Sequence, residues 1–187
     1  MTVALLGDSL TYGWLTEAPG AYRAAFAPHD VHNFGVPGDE TRDVLHRLQA
    51  GDLDACRPAW VVLLAGTNDL GSGATVAETV AGIRACADEI GARYPRASLT
   101  VVGILPRGDG DGVVAQMGRI AAVNAAIARF CEDGGLAFAD FSPLFLDDAG
   151  GLRVTYYDAD LLHVSPAGYH AWAPGLAGVV GATRAYL

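Results

Sequence analysis

The chain has 187 residues, of which 51% are apolar and 18% charged, so it can bury a core of its own and is too apolar to be intrinsically disordered. Its 12 basic and 21 acidic residues give a formal net charge of −9, the opposite of the basic surplus typical of nucleic-acid binding. No apolar run approaches the roughly 20 residues of a membrane-spanning helix. Met1 leads directly into an apolar segment without the parts of a signal peptide. We therefore expect one cytoplasmic domain over residues 1–187, with no nucleic-acid partner and no integral membrane segment, and the sequence leaves its oligomeric state open.

Short, continuously apolar segments recur along the chain and are the strand candidates. The four strongest are Val3–Leu6, Trp60–Ala65, Leu99–Leu105 and Leu136–Ala139, and Val31–Phe34 is a weaker fifth. Continuous rather than alternating apolar character is typical of strands buried on both faces of a parallel sheet.

Helical patterns separate these segments. In chain order, one helix follows Gly38, one begins at Thr75, one ends at Gly134 and the last begins at Ser165. Residues 75–78 have the form of a capping box, and Pro174 should kink or break the last helix. Alternating strands and helices predict an α/β fold: a three-layer α/β/α sandwich with a mostly parallel sheet of about five strands in flavodoxin-like order.

Cysteines and histidines give little indication of a metal site. Cys56, Cys86 and Cys131 are widely spaced and form no Cys-x-x-Cys pair, so neither a zinc site nor a disulfide framework is predicted. His29 and His32 could suggest a metal site, but a polar loop that enters a strand explains them better.

The segments that follow the predicted strands carry polar residues. After the first four strands in chain order these segments are Gly7–Leu10, Gly35–Asp39, Gly66–Asp69 and Pro106–Gly108. Functional sites of such sheets form beyond the carboxyl ends of the strands. A hydroxyl, glycine amides and a carboxamide would meet there, and they are the parts of an acyl-transfer site: a nucleophile and donors for an oxyanion.

A serine nucleophile such as Ser9 needs a base within hydrogen-bond reach. Asp160 and His163 offer one, because a carboxylate three residues before a histidine in a turn can accept the Nδ1–H of the ring. The Nε2 atom of His163 would then be free to take the proton of Ser9.

A second pair with the same spacing is Asp43 and His46. It lies in an amphipathic helix beside Arg42 and Arg47, and a solvated helix face explains it fully. Position in a loop after the last strand therefore favours Asp160 and His163 as the functional pair.

Four blocks in order resemble the SGNH (GDSL) hydrolase family over nearly the whole chain. They are Gly7–Thr11, Gly35–Thr41, Gly66–Asp69 and Asp160–His163. The resemblance, closest to compact bacterial-type esterases and to lysophospholipase and thioesterase members, implies the SGNH hydrolase fold. It also implies a serine hydrolase that cleaves small-molecule carboxylic esters through an acyl-enzyme, without a metal ion or an organic cofactor.

The resemblance also implies a role for five residues. Ser9 would be the nucleophile, His163 the general base and Asp160 the carboxylate that orients it. The backbone N–H groups of Ser9 and Gly38 and the side-chain amide of Asn68 would hold the oxyanion. These residue types suit the roles, because glycine lets the backbone approach the reacting carbonyl and asparagine supplies a neutral donor.

The residues taken singly have simpler explanations. Ser9 could cap a helix, Gly38 could permit a turn, and Asn68 or Asp69 could cap the following segment. Asp8 is expected to fix the nucleophile turn rather than to act as a catalytic acid.

Substrate contacts are predicted from apolar and aromatic residues near the blocks: Trp14, Leu105, Pro106, Tyr156, Leu161 and Leu162. Their character favours a short acyl or an aryl group. The alternatives are a thioesterase, a lysophospholipase or a carbohydrate deacetylase with the same site. A degenerate, non-catalytic SGNH domain is a further alternative, although the predicted site residues are all present. A non-catalytic flavodoxin-like binding module is less favoured, because the sequence contains neither common glycine-rich phosphate-binding motif.

Overall fold

A parallel β-sheet forms the centre of the protein. The computed structural model describes residues 1–108 and 113–180, without the side chains of 113–115. Within these residues the strands are β1 (Thr2–Gly7), β2 (Asp30–Gly35), β3 (Trp60–Leu64), β4 (Ser98–Val102) and β5 (Ala137–Ala139). Neighbouring strands are parallel and lie in the order β2-β1-β3-β4-β5. The predicted flavodoxin-like order is confirmed.

Helices connect the strands. In the described part of the chain they are α1 (Ser9–Thr16), α2 (Pro19–Ala25), α3 (Thr41–Ala50), α4 (Thr67–Gly71), α5 (Val76–Arg93), α6 (Val113–Gly134), α7 (Ser142–Phe145) and α8 (Pro166–Val179), with a 3₁₀ turn at Val154–Tyr156. The predicted capping box is present, since Thr75 Oγ1 accepts from Glu78 N at 3.2 Å and Glu78 Oε2 accepts from Thr75 N at 2.8 Å.

Alternate side chains of β1 enter two separate hydrophobic cores. Val3 and Leu5 belong to the core that also contains residues of α1, α2 and α8. Ala4 and Leu6 belong to the core formed with α3, α5 and α6. Because both faces of the strand are covered, the consecutive residues Val3–Leu6 are all apolar, which explains the continuous apolar run. The predicted three-layer sandwich is confirmed.

The expected break at Pro174 is absent, because α8 continues to Val179. Pro174 is exposed, whereas Trp172, Leu176 and Val179 are buried in the core. Burial of these side chains on both sides of the proline compensates for the backbone hydrogen bond that a proline cannot make. In the described residues no helix combines the length and the apolar character needed to cross a bilayer.

Candidate active site

The predicted blocks meet at one edge of the sheet. Ser9 is the first residue of α1 and follows β1, while Gly38 lies in the turn between β2 and α3. Asn68 lies in the first turn of α4, directly after β3. Since β1, β2 and β3 are parallel neighbours, their carboxyl ends place these three residues on the same side of the sheet.

A chain of two hydrogen bonds joins Ser9 to the loop that precedes α8. The Oγ atom of Ser9 lies 3.1 Å from Nε2 of His163, although 154 positions separate the two residues. The Nδ1 atom of His163 lies 2.6 Å from Oδ2 of Asp160. An ionised carboxylate can only accept, so Nδ1 carries the ring proton and Nε2 accepts from the serine hydroxyl. This is the arrangement in which a serine hydroxyl can lose its proton to a base.

The carboxylate of Asp160 is held by its own turn. Its Oδ1 atom accepts from the backbone N–H groups of Leu162 and His163, both at 2.9 Å. Partial burial acts to raise the pKa of Asp160, but the hydrogen bonds from the His163 ring and from these two N–H groups outweigh it and lower the pKa. Asp160 is therefore ionised and has one oxygen free to orient the imidazole.

The Asp160–His163 turn is attached to the chain that follows β4. Leu161 has a left-handed backbone with φ of 55°, which a side chain rarely adopts. Its carbonyl accepts from Gly108 N at 2.9 Å. Nearby, the hydroxyl of Tyr157 donates to the carbonyl of Pro106. These bonds hold the histidine-bearing loop at the carboxyl edge of the sheet.

Asp8 fixes the turn that presents Ser9. Its Oδ1 atom caps α1 by accepting from Leu10 N at 2.9 Å, and Tyr169 Oη donates to the Leu10 carbonyl at 2.8 Å. Asp8 is fully buried, and its Oδ2 has no hydrogen-bond partner among the described residues. Burial raises the pKa of Asp8 to about 7; the bond from Leu10 opposes this rise and the negative charge of Asp39 adds to it.

The donors expected for an oxyanion are arranged around the turn after β2. Gly38 has φ of 86°, and a Cβ there would meet nothing within 4 Å, so the backbone conformation rather than space requires glycine. The Nδ2 atom of Asn68 donates one hydrogen to the Asp39 carbonyl at 2.8 Å, which leaves its second hydrogen for another acceptor. Within the described residues, the backbone N–H groups of Ser9 and Gly38 have no protein acceptor.

Sequence reasoning missed a set of polar residues beneath this turn. Asp69 accepts from the backbone N–H of Thr41 at 2.9 Å and from its hydroxyl at 2.5 Å, and so joins α4 to α3. Arg107 donates to the carbonyl and the hydroxyl of Thr67, both at 3.1 Å. Arg47, expected on a solvated helix face, is instead largely buried and donates to the backbone carbonyls of Gly7 and Phe34. No local pattern distinguishes such residues from solvated ones, because their partners are distant in the sequence.

Two predicted substrate contacts are wrong in this structure. Trp14 and Leu105 are only 1% and 2% exposed and belong to the hydrophobic core. Trp14 packs against Tyr169 and Trp172, with ring centroids 4.7 and 5.2 Å away. The cavity beside Trp14 has a volume of about 10 Å³, room for about one water molecule. Residues this deeply packed do not face a substrate.

The other predicted contacts are placed differently. Tyr156, Leu161 and Leu162 are half-buried around the Asp160–His163 turn. Pro106 is itself buried but borders an apolar groove of about 270 Å³ along α6, which Met117 also lines.

The alternative metal site at His29 and His32 has no support. His32 pairs with the carboxylate of Asp30 at 3.2 Å on the surface. The part of the chain that the structure describes contains no group of three or more His, Cys, Asp or Glu side chains placed to hold a metal ion.

Known proteins resemble this chain along most of its length. Residues 5–171 match the model of the GDSL-like lipase/acylhydrolase family. The chain is 35% identical over 169 residues to platelet-activating factor acetylhydrolase IB subunit alpha1 of Bos taurus, covering 89% of this chain and 69% of that protein. It is 32% identical over 173 residues to subunit alpha2 of Homo sapiens, with 89% and 70% covered. A lipase/acylhydrolase from Enterococcus faecalis has the same fold, with a TM-score of 0.78, 24% identity, and 96% and 94% of the two chains covered.

Proposed function

The chain belongs to the GDSL-like lipase/acylhydrolase family and is an ester hydrolase, and we propose that it cleaves short acyl or aryl esters of small molecules through an acyl-enzyme on Ser9. The observation that carries the proposal is the hydrogen-bonded chain from Ser9 Oγ to His163 Nε2 at 3.1 Å and from His163 Nδ1 to Asp160 Oδ2 at 2.6 Å. The groups proposed for the oxyanion lie at the same edge of the sheet.

Acylation follows from this geometry. As Ser9 Oγ attacks the ester carbonyl, its proton passes to Nε2 of His163, and the resulting imidazolium is stabilised by Asp160. The carbonyl oxygen becomes an oxyanion and accepts from the N–H groups of Ser9 and Gly38 and from the Asn68 amide. When the tetrahedral intermediate collapses, the bond to the alcohol oxygen breaks and His163 protonates the leaving alcohol.

Deacylation uses the same groups with water as the nucleophile. His163 takes a proton from a water molecule as the water oxygen attacks the acyl carbonyl. The same donors hold the second oxyanion. Collapse breaks the bond to Ser9 Oγ, which regains its proton from His163, and the carboxylic acid leaves.

A short acyl group is supported by the names of the relatives. They are named acetylhydrolases, and acetyl is the shortest common acyl group. We propose Pro106, Tyr156, Leu161 and Leu162 as the contacts of the ester.

Hydrolysis of a chromogenic acetate ester tests the proposal. The wild-type protein should hydrolyse it, and Ser9→Ala should lose activity on the order of a million-fold. Ser72→Ala, at the exposed C-terminus of α4, is the matched control and should keep full activity. Hydrolysis by Ser9→Ala at the wild-type rate would remove Ser9 from the mechanism, and an inactive wild-type protein would favour a binding module.

A substrate series separates the alternatives that share this site. Acetate, butyrate and octanoate esters, an acetyl thioester, a lysophospholipid and an acetylated sugar should be compared by kcat/KM. We expect the acetate ester to give the highest value. A maximum with the octanoate ester or the lysophospholipid would contradict the short-acyl preference, and a maximum with the thioester or the sugar would replace the proposed substrate class.

A further inference from the structure

Arg47 differs from the other arginine of α3 in where its charge lies. The side chain of Arg42 is 78% exposed and pairs with Glu40 and Asp43 on the helix surface. The side chain of Arg47 is only 17% exposed. Burying a guanidinium is costly unless its donors are satisfied, so the partners of Arg47 indicate what the burial achieves.

The first partner of Arg47 is the turn that carries Gly38. The Nε atom of Arg47 donates to Oδ2 of Asp39 at 2.8 Å, and Nη2 lies 2.7 Å from the same oxygen. Asp39 directly follows Gly38, and its own carbonyl accepts from the Asn68 amide at 2.8 Å. Through Asp39, Arg47 is therefore connected to Gly38 and Asn68. The Gly38 N–H and the Asn68 amide are the groups proposed to bind the oxyanion together with the Ser9 N–H.

The other partners are the ends of two strands. Nη2 of Arg47 also donates to the carbonyls of Gly7 and Phe34, both at 3.2 Å. Gly7 is the last residue of β1 and immediately precedes the Asp8–Ser9 turn, and Phe34 lies one residue before the end of β2. The remaining contact, from Nη1 to Asp52 at 3.2 Å, faces solvent.

One guanidinium thus joins three backbone segments whose relative position decides the geometry of the site. These are the end of β1, the end of β2 and the turn after β2. We propose that Arg47 is a positioning residue that holds the Gly38 N–H and the Asn68 amide in register with Ser9 for the oxyanion. The inference rests on the proposed function, since it assumes that these groups bind an oxyanion.

The chemistry of the Arg47 side chain suits a positioning role better than an electrostatic one. A guanidinium has five donors in a rigid plane and can serve several acceptors at once, whereas a lysine ammonium is a flexible point charge. The carboxylates of Asp39 and Asp52 offset the positive charge, so Arg47 acts by geometry rather than by attracting the oxyanion. Displacement of catalytic groups by about 1 Å can lower a rate by about 10²-fold.

The variants Arg47→Gln and Arg47→Lys, with Arg42→Gln as the matched control, test this role. Three quantities should be measured on each protein: kcat per site titrated with an organophosphonate, KM for an acetate ester, and Ki for a small alkyl boronic acid. The boronate forms a tetrahedral adduct on a reactive serine, so its affinity reports on the oxyanion donors.

Both Arg47 variants should lower kcat about 10- to 100-fold and leave KM within about twofold, because only the transition state is affected. The boronate Ki should rise by the same factor as kcat falls, and Arg42→Gln should match the wild type. Lysine should not rescue, because a point charge cannot hold three acceptors in place. If Arg47→Gln does not fold, Arg47→Lys carries the same comparison.

The opposite result has a distinct pattern. If Arg47 only stabilises α3, the variants melt at a lower temperature, but kcat per titrated site and the boronate Ki equal those of the wild type, and the positioning role is overturned. If wild-type Ser9 is not labelled by the organophosphonate, the proposed function fails, and the role of Arg47 in it fails as well.

Discussion

Asp43–His46 and Asp160–His163 contain the same residue types at the same spacing, but their carboxylates have different partners. In the second pair, Asp160 Oδ2 lies 2.6 Å from the His163 ring, and the ring reaches Ser9. In the first, Asp43 Oδ2 accepts from the backbone N–H of Glu40 at 3.0 Å, and His46 is exposed.

The difference comes from the backbone around each pair. Asp43 lies in the first turn of α3, where the N–H groups lack helical partners, and it completes a capping box with Glu40. Asp160 lies in a turn whose own N–H groups occupy only its Oδ1 atom, so Oδ2 stays available to the ring. The same spacing therefore caps a helix in one place and orients an imidazole in the other.

Replacing the two histidines should give the largest difference in activity between the two pairs. His163→Ala should lower kcat on the order of a million-fold, because Ser9 would lose its proposed base. His46→Ala should keep wild-type activity, because the exposed ring of His46 has no partner in the site. Steady-state hydrolysis of an acetate ester by both folded variants measures this, and an inactive but folded His46→Ala protein would show that the wrong pair was assigned.

Replacing the two aspartates should have a smaller effect on activity. Asp160→Asn keeps the shape but loses the charge that stabilises the imidazolium, so kcat should fall about 10⁴-fold. Asp43→Ala should keep its activity and lose about 1 kcal/mol of stability with its hydrogen bond to Glu40. Kinetics and thermal unfolding of both variants measure the contrast, and loss of activity in Asp43→Ala without unfolding would contradict it.

Two buried or half-buried asparagines allow the oxyanion role to be separated from a structural role. Asn68→Ala should lower kcat by about 10²–10³-fold with little change in KM, because the proposed bond from its free amide hydrogen to the oxyanion would form only in the transition state. Asn124, whose amide bonds both backbone groups of Ile104 at 2.8 and 2.9 Å, is the control. Asn124→Ala should lower the melting temperature and preserve kcat per titrated site. If Asn68→Ala behaves in this way too, Asn68 has only a structural role.

Asp8 differs from Asp43 and Asp160 because it is fully buried. Its effect should appear in the stability of the protein rather than in the rate of hydrolysis. Its pKa is raised to about 7, so between about pH 4 and 7 the folded protein binds a proton that the unfolded chain releases. Stability should therefore fall as pH rises through this window, by up to about 4 kcal/mol.

The Asp8→Asn variant should lose this dependence while its side-chain oxygen still accepts from Leu10. Urea unfolding of both proteins at several pH values measures the difference in stability, which should favour the wild type more at about pH 5 than at about pH 8. If the free energies of unfolding of the two proteins change with pH in parallel, Asp8 ionises in the folded protein as it does in the unfolded chain.

The sheet and the Ser9–His163–Asp160 contacts could be predicted because their signals are local or ordered along the chain. Apolar runs indicate strands buried on both faces, and parallel strands bring the residues that follow them to one edge. The blocks at 7–11 and 160–163 therefore meet at this edge of the sheet. The predicted contacts among Ser9, Asp160 and His163 are present.

The other features of the fold and of the site depend on contacts between residues that are distant in the sequence, which a local pattern cannot predict. Trp14 and Leu105 have the apolar character of pocket residues, but the sequence does not distinguish a pocket wall from a core. Arg47 and Arg42 are both arginines on one helix, and only the distant carbonyls of Gly7 and Phe34 separate their environments. Pro174 lies within α8 because the buried residues on either side hold the helix, which helix propensity alone does not describe.

The rate at which an organophosphonate labels the protein, with the labelled residue identified by peptide mass, tests the central claim most directly. Labelling requires a nucleophile activated by its base, so it should occur on Ser9 at the same rate in the wild type and in His46→Ala. In His163→Ala it should be slower by at least about 10³-fold. Labelling at Ser72 or Ser165, or an unchanged rate in His163→Ala, would contradict the assignment of Ser9 and its base.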